Sequence, residues 1–432
     1  MKSKSFQVFS NGKQDMSCPQ FLAVKRMTSG NPTKLQRDWC KELKALERLK
    51  DCRHPHIVRF VTGICLRNKD DADYYLIFEW ADGGNLRNLW ETNRMPRLSV
   101  SLVKEICEQL RGLAGALKTA HYLEDDGNSN IRHGDLKPSN ILWFKTNDGI
   151  GTLKIADWGL AKENEGGTEL RELRNHGTTA LYGTKRYEAP EIGAPNRKET
   201  LYLDVQDNPR PVNTRSRLCD IWSMGCICLE FVIWLFYGYD GYHLFKIMFE
   251  EKEPLFQTGN STTKIHPVAE KWIDHISRNP LCNNGTTALG KLVELIRNRL
   301  LVITLPPHKG NKMPSPLDLS SHDGPSLGPE LTVTTTDPNP IHQGLTRILS
   351  TDFEAEMEKI SETPPGMKEE DYWPINAPQT PLALPQELLQ PPASIYGTQS
   401  VGGALNEPSQ RLQAPVVVNV KKPFQSTIKD AD

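Results

Sequence analysis

The stretch His133-Gly134-Asp135-Leu136-Lys137-Pro138-Ser139-Asn140, followed after a short interval by Asp157-Trp158-Gly159, decides how this chain is read. A single aspartate in a polar loop is ordinarily a turn residue. Here Asp135 is followed by an ammonium at Lys137, a side-chain amide at Asn140 and a second carboxylate at Asp157. Immediately upstream, Glu124 to Asn130 is a polar loop. Before it, Val103, Ile106, Leu110, Leu113 and Leu117 recur at helical spacing, which predicts a long helix leading towards the stretch. Earlier still, Tyr74 to Trp80 reads as a buried strand and Asp82-Gly83-Gly84 as a turn, the place expected for a hinge between two lobes.

Further out, the pattern is strand-like on the amino-terminal side. Phe6 to Phe9 and Phe21 to Met27 are short apolar runs separated by Asn11-Gly12 and a polar stretch, and they read as neighbouring strands. Leu43, Leu46 and Leu49, with charges between them, predict an amphipathic helix over Leu35 to Leu49. His54-Pro55 stops it, because the residue before a proline disfavours helical geometry. On the carboxy-terminal side, helices are expected around Asp220 to Phe236, Leu289 to Leu301 and Phe353 to Ile360. Between the last two, residues from about 306 to 340 are rich in Pro, Ser, Gly and Thr and read as a long inserted loop too poor in apolar surface to order itself. After about Glu362, Pro-Gln-Thr-Pro and Gln-Pro-Pro predict a mostly disordered tail. No repeat period signals a solenoid.

With 432 residues, 38% of them apolar, the chain is long enough for a substantial core. A formal net charge of -1 supplies no whole-chain field for nucleic acid or an anionic membrane, so neither is expected as a partner. The nine cysteines are scattered and fit a reducing compartment, with no disulfide assigned and a cytoplasmic or nuclear location expected. The opening Met-Lys-Ser-Lys-Ser reaches no secretory apolar run. The most apolar stretch, Ile221 to Tyr237, carries Glu230 and is short for a membrane span, so it reads as a core helix.

Ala23-Val24-Lys25, Glu42, Glu79-Trp80-Ala81, the stretch from His133 to Asn140, Asp157-Trp158-Gly159, Ala189-Pro190-Glu191 and Asp220-Ile221-Trp222 occur in one order. That ordered set resembles a eukaryotic-type protein kinase from about Gln7 to Ile360. The resemblance implies an α+β, bilobal protein-kinase-like fold with an incomplete N-terminal β lobe and a mainly helical C-terminal lobe. Its expected divisions are a truncated small lobe over 1–81, a large lobe over 82–362 and a Pro-rich tail over 363–432. The implied activity is transfer of the γ-phosphoryl group of ATP, with Mg2+, to a serine or threonine of a protein substrate. The long insertion and Tyr-Glu-Ala-Pro-Glu are similar to filamentous-fungal protein kinases.

By the same resemblance, Lys25 neutralises nucleotide phosphates and a carboxylate holds its ammonium. Glu42 is favoured for this, since Glu-Leu-x-Ala-Leu-x-x-Leu is similar to the family's first helix; Glu47, the rival, cannot point the same way. Asp135 orients the attacking hydroxyl or accepts its proton, and Lys137 supports the transferring phosphate, as in the serine/threonine form of the loop. Asn140 and Asp157 are the expected ligands of magnesium, which suits hard oxygens. Adenine is expected beneath Val8 and Ala23 and above Leu142, with Phe78 behind it and the backbone of Glu79 and Ala81 hydrogen-bonded to its edge. Glu191 is expected to pair with Arg347, Asp220 to brace the catalytic loop through backbone amides, and Thr184 to bond near Asp135 and Lys137.

Three departures from the family pattern carry consequences. Gly134 replaces the usual arginine before the catalytic aspartate, which removes the fork that would receive an activation-loop phosphate and disfavours switching at Thr178, Thr179 or Thr184. Trp158 replaces a phenylalanine whose role is apolar contact. No Gly-x-Gly-x-x-Gly loop precedes Gln7, so the chain reads as amino-terminally truncated. Two readings follow: an active enzyme with a shortened start, or a pseudokinase scaffold that binds partners through its large lobe and tail.

Overall fold

The structure is a computed structural model. It describes residues 4–7, 21–28, 31–67, 72–123, 131–160, 162–163, 185–193, 202–203, 209–210, 217–249, 253–259, 262–306, 345–375, 380–389 and 416–417. Val8, Thr178, Thr179, Thr184 and all but the first residue of the 306–340 insertion lie outside the described residues.

The small lobe contains β1 (Lys4–Gln7), β2 (Leu22–Arg26), α1 (Pro32–Cys52), β3 (Phe60–Arg67) and β4 (Ala72–Glu79). Its strands lie in the order β1-β2-β4-β3, all neighbours antiparallel. The strand expected at Phe6 to Phe9 lies earlier, at Lys4–Gln7, and a two-residue strand at Val416–Val417 runs parallel to it as the fifth strand of the sheet. Asn31 starts α1 by accepting the Lys34 N–H at 3.1 Å, Pro32 pre-sets the first turn, and Arg53 ends it in a left-handed conformation with φ 46°. Helical spacing turns Glu42, Ala45, Leu46 and Leu49 to one buried face, while Trp39 Nε1 donates to the Tyr75 carbonyl of β4 at 3.1 Å.

Beyond the hinge come α2 (Leu86–Thr92), α3 (Val100–His121), β5 (Ile131–Arg132), β6 (Ile141–Phe144), β7 (Thr152–Ile155) and β8 (Lys162–Glu163). They are followed by α4 (Leu218–Ile247), α5 (Pro267–Ser277), α6 (Ala288–Leu295) and α7 (Ser350–Ser361). The lobes are stitched together after α1: Ile155 N–H donates to His56 O at 2.8 Å and Val58 N–H to Ile155 O at 2.9 Å. The site is therefore anchored from both sides of the cleft.

Helix α4 forms the middle of the large lobe. It is long and apolar enough to cross a membrane, yet its most apolar window is wholly buried inside the protein, as befits a helix that is hydrophobic all round. It does not stop at Phe236 as expected; Gly238, at φ 67° and ψ −167°, breaks it and the helix resumes to Ile247. The helix expected over Leu289 to Leu301 ends at Leu295 and continues as a π-helical turn, Ile296–Leu300.

Packing extends past the expected boundary at residue 362. Tyr372, Trp373 and Leu388 are buried, Tyr372 donates to the Ile360 carbonyl at 3.0 Å, and Leu382 N–H donates to the Phe236 carbonyl at 2.7 Å beside the break in α4. Proline content masks this in the sequence, but a few large apolar side chains, each contributing roughly 1.5–3 kcal/mol when buried, are enough to dock the segment.

Candidate active site

The catalytic-looking stretch runs from β5 to β6 as a loop held from below by α4. Gly134 has φ 76°, a left-handed conformation that costs an ordinary side chain energy and glycine almost none. This turn brings the His133 and Gly134 N–H groups onto the two oxygens of Asp220, each at 2.8 Å. Asp220 is 1% exposed and also meets His121 Nε2 at 2.9 Å, while His121 Nδ1 lies 3.0 Å from Ser350 Oγ. Burial pushes the Asp220 carboxyl up, but His121, His133 and the Gly134 amide outweigh it and hold the group below its ordinary value. A mere helix-capping role does not describe an aspartate that spends both oxygens on another loop.

Above that brace, Lys137 Nζ donates to Asp135 Oδ2 at 2.7 Å. Pro138 starts a 3₁₀ turn that buries Asn140, whose Nδ2 donates to the Asp135 carbonyl at 2.8 Å. Asp135, Lys137 and Asn140 thus form one cluster, with Asp135 Oδ1 accepting no hydrogen bond among the described residues. The strand β7 brings Asp157 alongside: Ala156 N–H donates to Asn140 O at 2.9 Å, and His133 Nε2 lies 2.8 Å from Ala156 O. Trp158 is 1% exposed and packs on the His133 ring at 4.8 Å, so the indole supplies the apolar contact expected of a phenylalanine there.

Across the cleft, Lys25 Nζ sits 2.6 Å from Glu42 Oε1 and 2.7 Å from Asp157 Oδ1. One ammonium therefore faces two carboxylates of different exposure. Burial pulls the Lys25 pKa down, and the charges of Glu42 and Asp157 more than restore it, leaving it raised. Burial pushes the Asp157 carboxyl up, but Lys25 overrides this and leaves it lowered. For Glu42, burial wins over Lys25, and the nearby Asp157 charge adds to the rise. A Cβ on Gly159 would come within 2.8 Å of Glu42 Oε2, so the glycine after Trp158 gives α1 room to bring Glu42 in.

The donor set fits magnesium. Asp157 and Asn140 offer hard oxygens, Asn140 having committed its NH₂ group to Asp135, and among the described residues no cluster of three His, Cys, Asp or Glu forms an all-protein cage. Magnesium is commonly bound this way, by one or two side chains with phosphate and water completing the shell.

At the other end of the cleft, Ala23 pairs with Phe78 across β2 and β4, and Leu142 bridges to Asn85 just beyond the hinge. Glu79 is the last residue of β4 and Ala81 lies in the connection that follows it, and Val8 lies outside the described residues. Sequence reasoning missed Lys154, whose Nζ donates to Glu79 Oε1 at 2.8 Å; its signal was the alternation of β7, which sets Lys154 opposite the buried Leu153 and Ile155. It also missed Tyr187, whose hydroxyl donates to the buried Glu230 at 2.9 Å. Glu191 and Arg347 meet as a fork, with Nη1–Oε1 at 2.7 Å and Nη2–Oε2 at 3.1 Å.

Comparison with known proteins gives a consistent result. The Protein kinase domain family matches residues 7–279. The human serine/threonine-protein kinase Nek2 is 27% identical over 216 residues, covering 49% of this chain and 40% of the relative. The mitogen-activated protein kinase kinase kinase MST11 of Pyricularia oryzae is 32% identical over 221 residues, 49% of this chain and 20% of its own. The serine/threonine-protein kinase RAD53 of Saccharomyces cerevisiae is 32% identical over 206 residues, 48% of this chain and 21% of its own. The chain thus spans less than half the length of each of these three relatives.

Proposed function

This chain belongs to the protein kinase family, and from that premise we propose that it is an active enzyme transferring the γ-phosphoryl group of ATP to a serine or threonine hydroxyl of a protein. The observation that carries the reading is the meeting of two clusters at one cleft, Lys25–Glu42–Asp157 and Asp135–Lys137–Asn140. Phosphoryl transfer asks for little covalent chemistry from a protein and much positioning and charge neutralisation.

In this reading Lys25 neutralises phosphate oxygens, and Glu42 fixes its ammonium. Asp135 receives the substrate hydroxyl at Oδ1, and Lys137, already paired to Oδ2, supplies positive charge beside the transferring group. Asn140 and Asp157 would hold magnesium, which when bound neutralises the triphosphate. The serine/threonine assignment rests on Lys137 and on the names of the relatives. A reducing cytoplasmic or nuclear setting is proposed from the scattered cysteines.

The test is radiolabel transfer from ATP to a mixed peptide pool, with and without magnesium, for the parent and for Asp157→Asn. Asparagine tolerates the left-handed backbone of position 157, where φ is 64°, so this variant removes charge and leaves the turn. Magnesium-dependent label on serine and threonine, lost in the variant, supports the enzyme. A parent that binds no nucleotide and labels nothing would leave the scaffold reading.

A further inference from the structure

The face of the β6–β7 ribbon that carries Leu142 also carries a charge that none of the roles above uses. Leu142 and Lys154 are register partners, so their side chains stand on the same side of the ribbon. Burial alternates accordingly: Ile141, Trp143, Leu153 and Ile155 are buried, whereas Leu142, Phe144 and Lys154 are half-buried on the other face. Lys154 lies over the Phe144 ring, 4.3 Å from its centroid, and reaches the hinge carboxylate of Glu79 at 2.8 Å.

Glu79 is held from a second direction as well. Its Oε1 accepts the Arg59 N–H at 2.7 Å, and its own N–H donates to Arg59 O at 3.1 Å. The side chains of Lys154 and Glu79 are 18% and 15% exposed, which shields the pair from solvent far more than an ordinary surface ion pair. Lys154 lies in β7, whose last residue is Ile155, and Asp157 follows two residues beyond that end, at a left-handed turn. The end of β7 and the two residues after it therefore connect the side chain paired with Glu79 to the carboxylate read as the magnesium ligand.

We propose that Lys154 is a nucleotide-positioning residue: through Glu79 it fixes the hinge backbone relative to Asp157, so that the adenine-binding edge and the phosphate-binding end of the cleft are held at the right separation. This rests on the phosphoryl-transfer reading of the same cleft. Lys154 acts through Glu79 and does not contact the phosphates.

The experiment is titration of the full chain with a fluorescent ADP analogue in magnesium, with steady-state kinetics and thermal unfolding alongside, for Lys154→Met, Glu79→Ala, the double variant and Lys154→Arg. Lys154→Met and Glu79→Ala each weaken nucleotide binding about tenfold, equivalent to ~1.4 kcal/mol, with the larger share of the kinetic loss in KM for ATP. The double variant binds no more weakly than Glu79→Ala alone, because Glu79→Ala already removes the carboxylate through which Lys154 acts, together with its bond from the Arg59 N–H, and Lys154→Arg binds within a fewfold of the parent. Unchanged affinity with a lowered melting temperature in Lys154→Met would make the pair a structural stabiliser and overturn the proposal, as would fully additive losses in the double variant. A parent that binds no analogue overturns this inference together with the kinase reading, whereas a parent that binds while Lys154→Met binds equally well overturns this inference alone.

Discussion

Around Lys25, an ammonium 12% exposed sits between Glu42 and an Asp157 side chain that is 42% exposed; around Arg347, a guanidinium with no exposed side-chain surface grips both oxygens of Glu191. Both are pairs of basic and acidic groups, but the first leaves a carboxylate facing the cleft while the second spends its donors internally. Arg347 also donates to the carbonyls of Val302 and Leu218, at 2.9 and 3.0 Å. An open network keeps binding capacity for a ligand, and a closed one has none to spare. The difference implies that removing a charge from the open network costs activity, and removing one from the closed network costs fold.

The widest separation of the two effects is expected from Asp157→Asn. Transfer activity should fall by about a thousandfold or more, as when a preorganised charge is removed from the reacting centre, while the urea midpoint moves little because Lys25 keeps Glu42. A large loss of stability in this variant would erase the distinction. Arg347→Ala is the reverse case. It leaves Glu191 half-buried without its partner and should lower unfolding stability by roughly 3–5 kcal/mol, read from chemical denaturation.

A smaller effect, also on the closed side, is expected from a chain ending at residue 379. It loses the buried Leu388 and the Leu382 N–H bond to Phe236 O, and should be less stable by about 2–3 kcal/mol. A chain ending at residue 389 keeps both and serves as the control. Equal stability of the two would show that the docked segment contributes nothing to the large lobe.

What could be read from the amino acids divides along chemical lines. Residues inside motifs that resemble the family's stood out: Asp135 and Lys137 in one loop, Glu42 in a segment similar to the family's first helix, and Arg347, matched to Glu191 by its position. Ordinary residues in ordinary surroundings did not. The strand Phe60–Arg67 was passed over because its burial does not alternate, with three half-buried residues in a row at Gly63, Ile64 and Cys65, and that removes the pattern that marks a strand. Helix α2 is a single short segment whose capping box, Asn85 with Asn88, uses residues equally common in turns. The docked segment after residue 362 was hidden by its prolines, although Tyr372, Trp373 and Leu388 carry its burial. Lys154 carries no motif that would single it out, and only register with Leu142 and proximity to Glu79 distinguish it.

The joint between the two kinds of network is Gly134, whose N–H belongs to the buried Asp220 brace and whose successor is Asp135 in the open cleft. An alanine at φ 76° is strained by about 1–2 kcal/mol, and the strain can be relieved only by rotating the peptide that aims Asp135. Gly134→Ala should therefore lower stability by that amount and slow transfer by about tenfold, the rate equivalent of ~1.4 kcal/mol, with nucleotide affinity unchanged because Lys25 and the hinge are untouched. An arginine there would meet the same backbone and carry the same cost, so restoring the family's residue should not restore a phosphate switch without loss. If Gly134→Ala lowered stability and left the rate intact, the brace and the cleft would be independent, and the open and closed networks would share a loop without sharing a strain.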